Sequence, residues 1–141
     1  MPPAAPVSPR ISARIIHAAL VLGVVMFWLV AWFVAGRTAL PVDALPDRRV
    51  LYIALALVSA GLFGGAMFTA NRLVPPPRGS SQDEWWRINL GKAIVIWALA
   101  EGPAILGTVV YLLTRDFRVL IATFIGLLLF AAYRPSRLFE R

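Results

Sequence analysis

Glu101 lies at the centre of a hydrophobic segment, where a carboxyl group could carry a proton or bind a cation. It is the only charged residue between Lys92 and Arg115. The segment around it, residues 93–114, has 22 residues and can cross a bilayer as one helix at about 1.5 Å per residue. An ionised acid is costly near the middle of a membrane. We therefore expect Glu101 to be protonated, to be paired with another group, or to face the protein interior.

Gly102 and Pro103 follow Glu101 and predict a kink in this helix. Pro103 has no amide hydrogen, so the carbonyl group four residues earlier loses its helical donor, and Gly102 leaves room for the backbone to bend. Thr108 lies two turns beyond Glu101 on the same face and offers a hydroxyl group. We therefore predict Glu101 and Thr108 as ion-binding residues. In the alternative interpretation, Glu101 is a structural acid that is protonated and donates a hydrogen bond to a neighbouring helix.

The other polar residues do not assemble a recognisable catalytic or metal site. His17 is the only histidine, and it lies near the start of a hydrophobic segment, where we expect a solvated edge residue. Asp43 and Asp47 lie at other depths than Glu101, and cysteine is absent, so neither a metal nor another cofactor is expected. The sequence also lacks a recognisable nucleophile triad and a phosphate-binding glycine loop. We therefore predict no catalytic residues and no enzymatic activity.

The composition is that of an integral membrane protein. Of the 141 residues, 60% are hydrophobic, and the mean hydropathy is +0.76, which is too apolar for a soluble domain with a polar surface. The net charge is +7, and the basic residues lie at the ends of the apolar segments. This placement indicates contact with the lipid bilayer and its anionic head groups, and we expect no nucleic-acid partner.

Charged residues divide the chain into four apolar segments, and each segment predicts one transmembrane helix. The predicted fold class is therefore all-α, an integral membrane bundle of four transmembrane helices within residues 15–134. The flanking residues 1–14 and 135–141 are predicted to be cytoplasmic tails, the first of them disordered. The four spans are expected at about residues 15–36, 50–71, 93–114 and 117–134.

The basic residues also predict the orientation. Nine Lys and Arg residues flank the side that holds both termini and the second loop, and five flank the other side. The positive-inside rule places both termini in the cytoplasm, in a multi-pass protein of a bacterial-type inner membrane or a plasma membrane. Ser81 and Glu84 have the spacing of a capping box, so the third helix is expected to begin there. Trp85 and Trp86 would then lie along the cytoplasmic interface of the membrane.

The second hydrophobic segment carries small residues at every fourth position, in two adjacent rows. Such a strip lets another helix approach closely, which matters in lipid because hydrophobic burial contributes little between helices there. The strip predicts either packing within the chain or an interface with a membrane-protein partner or a second copy. Both interpretations make this helix the packing centre. The predicted packing residues are Ala56, Ala60, Gly61, Gly64 and Gly65.

The hairpin Val50–Thr114, with an Ala-Leu-Ala-Glu sequence that ends at Glu101, resembles the carboxylate hairpin of rotary ATPase c subunits. In that family a glycine-rich helix, a polar cytoplasmic loop and a carboxylate helix form a hairpin whose acid carries a proton or sodium ion. The resemblance implies that Val50–Asn71 is the glycine-rich helix, Arg72–Lys92 the loop and Glu101 the ion-carrying acid. It covers less than half of the chain, and the other two predicted helices have no counterpart in a two-helix c subunit.

These features support two functional hypotheses. The leading hypothesis is a small polytopic membrane protein without enzymatic activity, which acts as an accessory or assembly subunit of a membrane complex through its small-residue strip. The alternative is a proton- or cation-conducting component that uses the intramembrane acid Glu101. Membrane proteins that copurify in gentle detergent would favour the first hypothesis over the second.

Overall fold

The structure, a computed structural model, describes residues 8–37, 47–76 and 79–140, and within these ranges the chain is helical and has no strand. Three of the helices are each long and apolar enough to cross a membrane, and residues Phe117–Ala132 form a shorter apolar helix. The chain is therefore a helical membrane protein. The elements are α1 (Pro9–Ala35), α2 (Arg48–Ala70), α3 (Gln82–Thr114), a 3₁₀ turn (Phe117–Val119), α4 (Leu120–Ala132) and α5 (Pro135–Phe139).

Helix α3 is the packing centre, so the expectation that the second helix takes this place is wrong. α3 packs against α1, α2 and α4, and these three helices make few contacts with one another. Its sequence explains the difference, because buried residues recur every three or four positions along nearly its whole length and therefore form one continuous face. In the membrane-length part of α3 these residues are Ala93, Ile96, Trp97, Ala100, Pro103, Ala104, Gly107, Thr108, Val110, Tyr111 and Thr114.

Small residues bring α3 and α4 into close contact. A Cβ atom added at Gly126 of α4 would lie 2.8 Å from the Cβ atom of Ala104 and 2.8 Å from the Ala100 carbonyl oxygen. A Cβ atom added at Gly107 of α3 would lie 2.9 Å from the Thr123 hydroxyl oxygen. Because no side chain fits at either glycine without displacing its neighbours, these two positions set the distance between the helices.

The predicted helix start at Ser81 is confirmed. The Ser81 hydroxyl oxygen accepts a hydrogen bond from the Glu84 amide at 3.2 Å, and α3 continues from there without a break. Trp85 and Trp86, in contrast, are each only 1% exposed, so they are buried in the protein rather than exposed along the membrane interface. They are covered because α5 folds back against this end of the bundle, where Phe139 packs edge-on against Trp85 with ring centroids 5.7 Å apart.

Side chains of α3 also hold the extended segment that follows α2. The Trp85 indole donates to the Val74 carbonyl at 2.7 Å. The fully buried Asn89 side chain accepts from the Val74 amide at 3.0 Å. Lys92 donates to the Arg72 carbonyl at 2.8 Å. These bonds satisfy backbone groups that no helix pairs, so the segment is fixed against α3.

Helix α1 begins at Pro9, inside the segment 1–14 for which we predicted a disordered tail. Pro9 favours a helix start because its missing amide hydrogen is not needed in the first turn. Ala13 is fully buried, so the first turns of α1 pack on the protein. The predicted tail is therefore helical from Pro9 onward, and residues 1–7 lie outside the described part of the chain.

Candidate functional site

Glu101 lies near the middle of α3, at the border between its buried and exposed faces. Ala100 and Ala104 beside it are 1% and 0% exposed, whereas Ala98 is exposed. The Glu101 side chain is partly exposed, and it forms no hydrogen bond or ion pair with the residues that the structure describes. An ion held at Glu101 would therefore take its other ligands from outside the described part of this chain.

Thr108 is directed to α4 and has its own hydrogen-bond partners. Its hydroxyl group is fully buried and donates to the Ala104 carbonyl at 3.0 Å. Thr123 of α4 donates to the same carbonyl at 2.8 Å, and the two hydroxyl oxygens lie 3.2 Å apart. The structure thus brings Thr108 together with Thr123, which sequence reasoning missed, and not with the carboxyl group of Glu101.

Gly102 and Pro103 lie inside α3, and the helix continues through both residues. Pro103 is buried. At Gly102 an added Cβ atom would lie 3.1 Å from a methyl carbon of Leu62 on α2. Gly102 therefore permits the close approach of α2 beside Glu101, a packing role in addition to the predicted kink.

The predicted small-residue strip of α2 lies mostly on its open side. Ala56 and Ala60 are exposed, and Cβ atoms added at Gly61 and Gly64 would meet no other atom within 4 Å. Gly65 differs, because an added Cβ atom would lie 3.4 Å from a methyl carbon of a leucine on α3. Within the described chain, four of the five strip residues are thus available to contact another molecule.

A groove of about 520 Å³ opens between α2 and the beginning of α4. We call it the α2–α4 groove. Its back is closed by an apolar cluster in which Leu55 of α2 and Ala122 of α4 pack with Val110 of α3. The groove is lined by Tyr52, Leu55, Ala56, Ser59, Ala60, Phe63, Asp116, Arg118, Val119, Ile121, Ala122 and Ile125.

Ser59 is the polar residue in the middle of the α2 wall of this groove. It is only 7% exposed, and its hydroxyl oxygen has no hydrogen-bond partner among the described residues. Buried hydroxyl groups normally have a partner, since an unpaired one costs about 1–3 kcal/mol. Ala56 and Ala60, both exposed, flank Ser59 in the lining, so the groove wall around this buried hydroxyl consists of small side chains.

Charged and hydrogen-bonding groups mark one end of the groove. The Asp116 carboxylate accepts hydrogen bonds from the Arg118 amide and the Tyr52 hydroxyl, both at 2.9 Å. These two bonds lower the pKa of Asp116 below its usual value, and the charges of Arg118 and Arg48 act in the same direction. This end of the groove therefore holds the Asp116 carboxylate beside the positive charge of Arg118, and the hydrogen bond from Tyr52 links α2 to the turn before α4.

His17 is not the solvated edge residue that its position suggested. Its ring packs edge-on against Trp97 at 5.1 Å and against Phe130 at 5.6 Å. Its Nε2 atom lies 3.0 Å from the Phe130 carbonyl oxygen, and because a carbonyl only accepts, Nε2 must carry the hydrogen. His17 thus stabilises the end of α4 by binding one of its unpaired carbonyl groups.

The described residues contain no group of three or more histidine, cysteine or acidic side chains that could hold a metal ion. Asp43, one of the acids considered above, lies outside these residues, and Asp47 caps α2 by accepting a hydrogen bond from the Arg49 amide at 2.9 Å. The candidate functional groups of the described residues are thus the isolated carboxyl group of Glu101 and the α2–α4 groove.

No protein-family model, curated protein or solved structure matches the chain.

Proposed function

We propose that this protein is a non-enzymatic accessory or assembly subunit of a membrane complex, and that one transmembrane helix of a partner protein packs into the α2–α4 groove. The observation that carries the proposal is the open apolar groove itself, whose α2 wall presents the exposed small residues Ala56 and Ala60.

The residues around Ser59 favour a helix as the occupant. Ala56 and Ala60 lie one turn apart on the same wall, and Gly64 continues this row with open space beside it. Small residues in such a row let two helix backbones approach closely, so that van der Waals contacts and interhelical hydrogen bonds drive association in lipid. The row runs along α2, which is itself long enough to cross the membrane, so a second membrane-spanning helix can follow it.

The proposal includes a topology. α1, α2, α3 and the shorter helix of α4 form a four-helix transmembrane bundle with both termini in the cytoplasm of a bacterial-type inner membrane or a plasma membrane. The fourth span is short, and Arg118 and Arg134 at its ends can reach the two head-group layers. In this orientation the Asp116 end of the groove faces away from the cytoplasm.

A pair of substitutions on α2 tests the proposed function. Ala60→Leu fills the groove, whereas Ala54→Leu makes the same change at an exposed position on the opposite face of α2. Each variant is expressed at its native level, solubilised in gentle detergent and separated by native electrophoresis. We expect the wild type and Ala54→Leu to migrate in a complex with another polypeptide, and Ala60→Leu to migrate as the free chain. Equal migration of the two variants would contradict the proposal.

The second candidate function is proton or cation conduction through Glu101. It is favoured by one observation, a partly exposed carboxyl group that lies in the middle of a membrane-length helix and has no partner among the described residues. The resemblance of Val50–Thr114 to rotary ATPase c subunits belongs to this candidate. Glu101→Gln keeps the shape and hydrogen bonding of a protonated acid but cannot release a proton. Loss of ion flux in vesicles that contain folded Glu101→Gln protein would support conduction, and unchanged assembly would support the accessory role.

A further inference from the structure

A second polar site lies at the other end of the bundle, where the first turns of α1 and α3 meet α5. A pocket of about 210 Å³ opens there and is lined by Arg10, Arg14, Gln82 and Ser136, with Trp86 and Glu140 beside them. We call it the Arg10–Arg14 pocket. It is separate from the α2–α4 groove and from Glu101.

The pocket contains hydrogen-bond donors that have no acceptor among the described residues. Arg10 and Arg14 lie one helical turn apart, so their side chains project from the same face of α1. Neither guanidinium group, nor the Gln82 amide or the Ser136 hydroxyl, has a side-chain hydrogen bond or ion pair with a described residue. Two permanent positive charges and two neutral donors thus line one cavity together with the single carboxylate of Glu140, and this excess of donors and positive charge fits an anion with several oxygen atoms.

The helices around the pocket are packed against one another through buried residues. Trp86 is 1% exposed and packs edge-on against Trp85, with ring centroids 4.9 Å apart. Ala13, which lies between the two arginines in sequence, is fully buried, and Leu138 fixes α5 with 1% exposure. Because this frame is already packed, an anion would bind without ordering the backbone around it, which lowers the cost of binding.

We propose that the Arg10–Arg14 pocket binds the phosphate group of a membrane phospholipid. The planar guanidinium group of an arginine can donate two parallel hydrogen bonds to two oxygens of one phosphate group. The two arginines and Glu140 give the lining a formal charge of plus one, which complements the single negative charge of a phosphodiester. Ile11 and Ile15, adjacent to the arginines in sequence, are 50% and 60% exposed, so apolar surface for the acyl chains lies next to the charged site. This last feature favours a lipid over free phosphate.

The test uses the full chain in mild detergent and phosphatidylglycerol as the probe, with bound lipid counted by native mass spectrometry. The Arg10→Gln, Arg14→Gln double variant loses both guanidinium groups of the pocket. The Arg48→Gln, Arg49→Gln double variant is the control, because it removes the same charge from the start of α2. We expect the Kd for phosphatidylglycerol to rise at least about tenfold in the first variant and to change less than about twofold in the second. An equal rise in both variants, or no rise in either, would overturn the proposal.

Two further arms keep the test decisive. The Arg10→Lys, Arg14→Lys variant retains both charges and the apolar stems of the two side chains, so it replaces the Gln variant in the test if that variant does not fold. Its Kd for phosphatidylglycerol should also rise, because lysine cannot form the bidentate contact with phosphate. Inorganic phosphate at millimolar concentration should leave phosphatidylglycerol bound. Displacement of the lipid by inorganic phosphate would assign the pocket to a free anion and overturn the lipid as its ligand.

Discussion

Trp97 of α3 donates its indole hydrogen to the carbonyl oxygen of Tyr133, 2.8 Å away at the end of α4. Both residues are buried, with 0% and 6% exposure. The last carbonyl groups of a helix have no donor within the helix, and water is scarce at a buried helix end. Trp97 supplies the missing donor to Tyr133, as His17 does to the Phe130 carbonyl, so α1 and α3 together hold the end of α4 in place.

We predict that Trp97→Phe destabilises the protein by about 1–3 kcal/mol, because the buried hydrogen bond from the indole to the Tyr133 carbonyl is lost. The smaller ring adds a cavity to this loss. Thermal unfolding in detergent measures the effect. Trp32→Phe is the control, since Trp32 is 49% exposed and its indole nitrogen is not tied to α4. Equal unfolding temperatures for the two variants would show that the Trp97 hydrogen bond does not stabilise α4.

We predict that Gly126→Ala lowers stability and Gly61→Ala does not. A methyl group at Gly126 would overlap Ala104, and forcing extra volume into a packed interface costs about 1–3 kcal/mol. At Gly61 a methyl group meets no atom within 4 Å and improves helix propensity. Unfolding of the two variants in the same detergent tests the prediction. A larger loss for Gly61→Ala than for Gly126→Ala would mean that α2, and not the α3–α4 contact, limits stability.

Asp116 predicts a pH dependence of stability. Its pKa in the folded protein is lowered below the usual 3.8 by hydrogen bonds from the Arg118 amide and Tyr52. The folded state therefore binds the proton more weakly than the unfolded state does. The stabilisation is present above the unfolded pKa and is lost as the pH falls through the folded one. Wild type should unfold at a higher temperature than Asp116→Asn at pH 7, and the difference should shrink below pH of about 4. A difference that grows on acidification would contradict this assignment.

The proposed topology places both termini in the cytoplasm. We therefore predict that a reporter that works only in the cytoplasm is active at either terminus, and that a reporter that works only outside it is inactive there. Nine basic residues flank the side that holds both termini and five flank the other, and by the positive-inside rule this asymmetry favours the proposed orientation. Enzyme reporters with opposite compartment requirements, fused after residue 141, provide the measurement. Activity of the C-terminal reporter outside the cytoplasm would exclude an even number of spans with a cytoplasmic N-terminus.

Local patterns allowed the helices to be predicted from the sequence. Ser81 and Glu84 form the expected cap, and three apolar segments are helices of membrane-spanning length. Their mutual arrangement could not be predicted in the same way. The small residues on α2 predicted a close helix contact there, but the closest contacts in the structure are at Gly107 and Gly126. Glycines are widely spaced in the segments that contain these two residues, so no glycine pattern marked them. The close α3–α4 contact could have been predicted from the small residues Ala100, Ala104 and Gly107, which share one face of α3, and from the glycine Gly126 in α4.

The polar sites show the same limit. The sequence identified Glu101 because a single charge in an apolar segment stands out. It did not identify Ser59, because serine is common in membrane helices. Ser59 stands out only in the structure, where its hydroxyl group is buried and has no partner among the described residues. The prediction that His17 is a solvated edge residue was wrong, because its packing partners Trp97 and Phe130 lie far away in sequence. Such pairings depend on how helices pack, which local residue patterns do not determine.

The proposal that the α2–α4 groove receives a helix of a partner protein is tested most directly by photo-cross-linking in intact membranes. A photoreactive amino acid replaces Ala60 in the groove in one variant, and Ala54 on the opposite face of α2 in another. We expect the Ala60 variant to form one discrete adduct with a different polypeptide, and the Ala54 variant to react only with lipid. An Ala60 variant without a polypeptide adduct, or with an adduct of twice the 15.5 kDa mass of this chain, would contradict a partner protein in the groove.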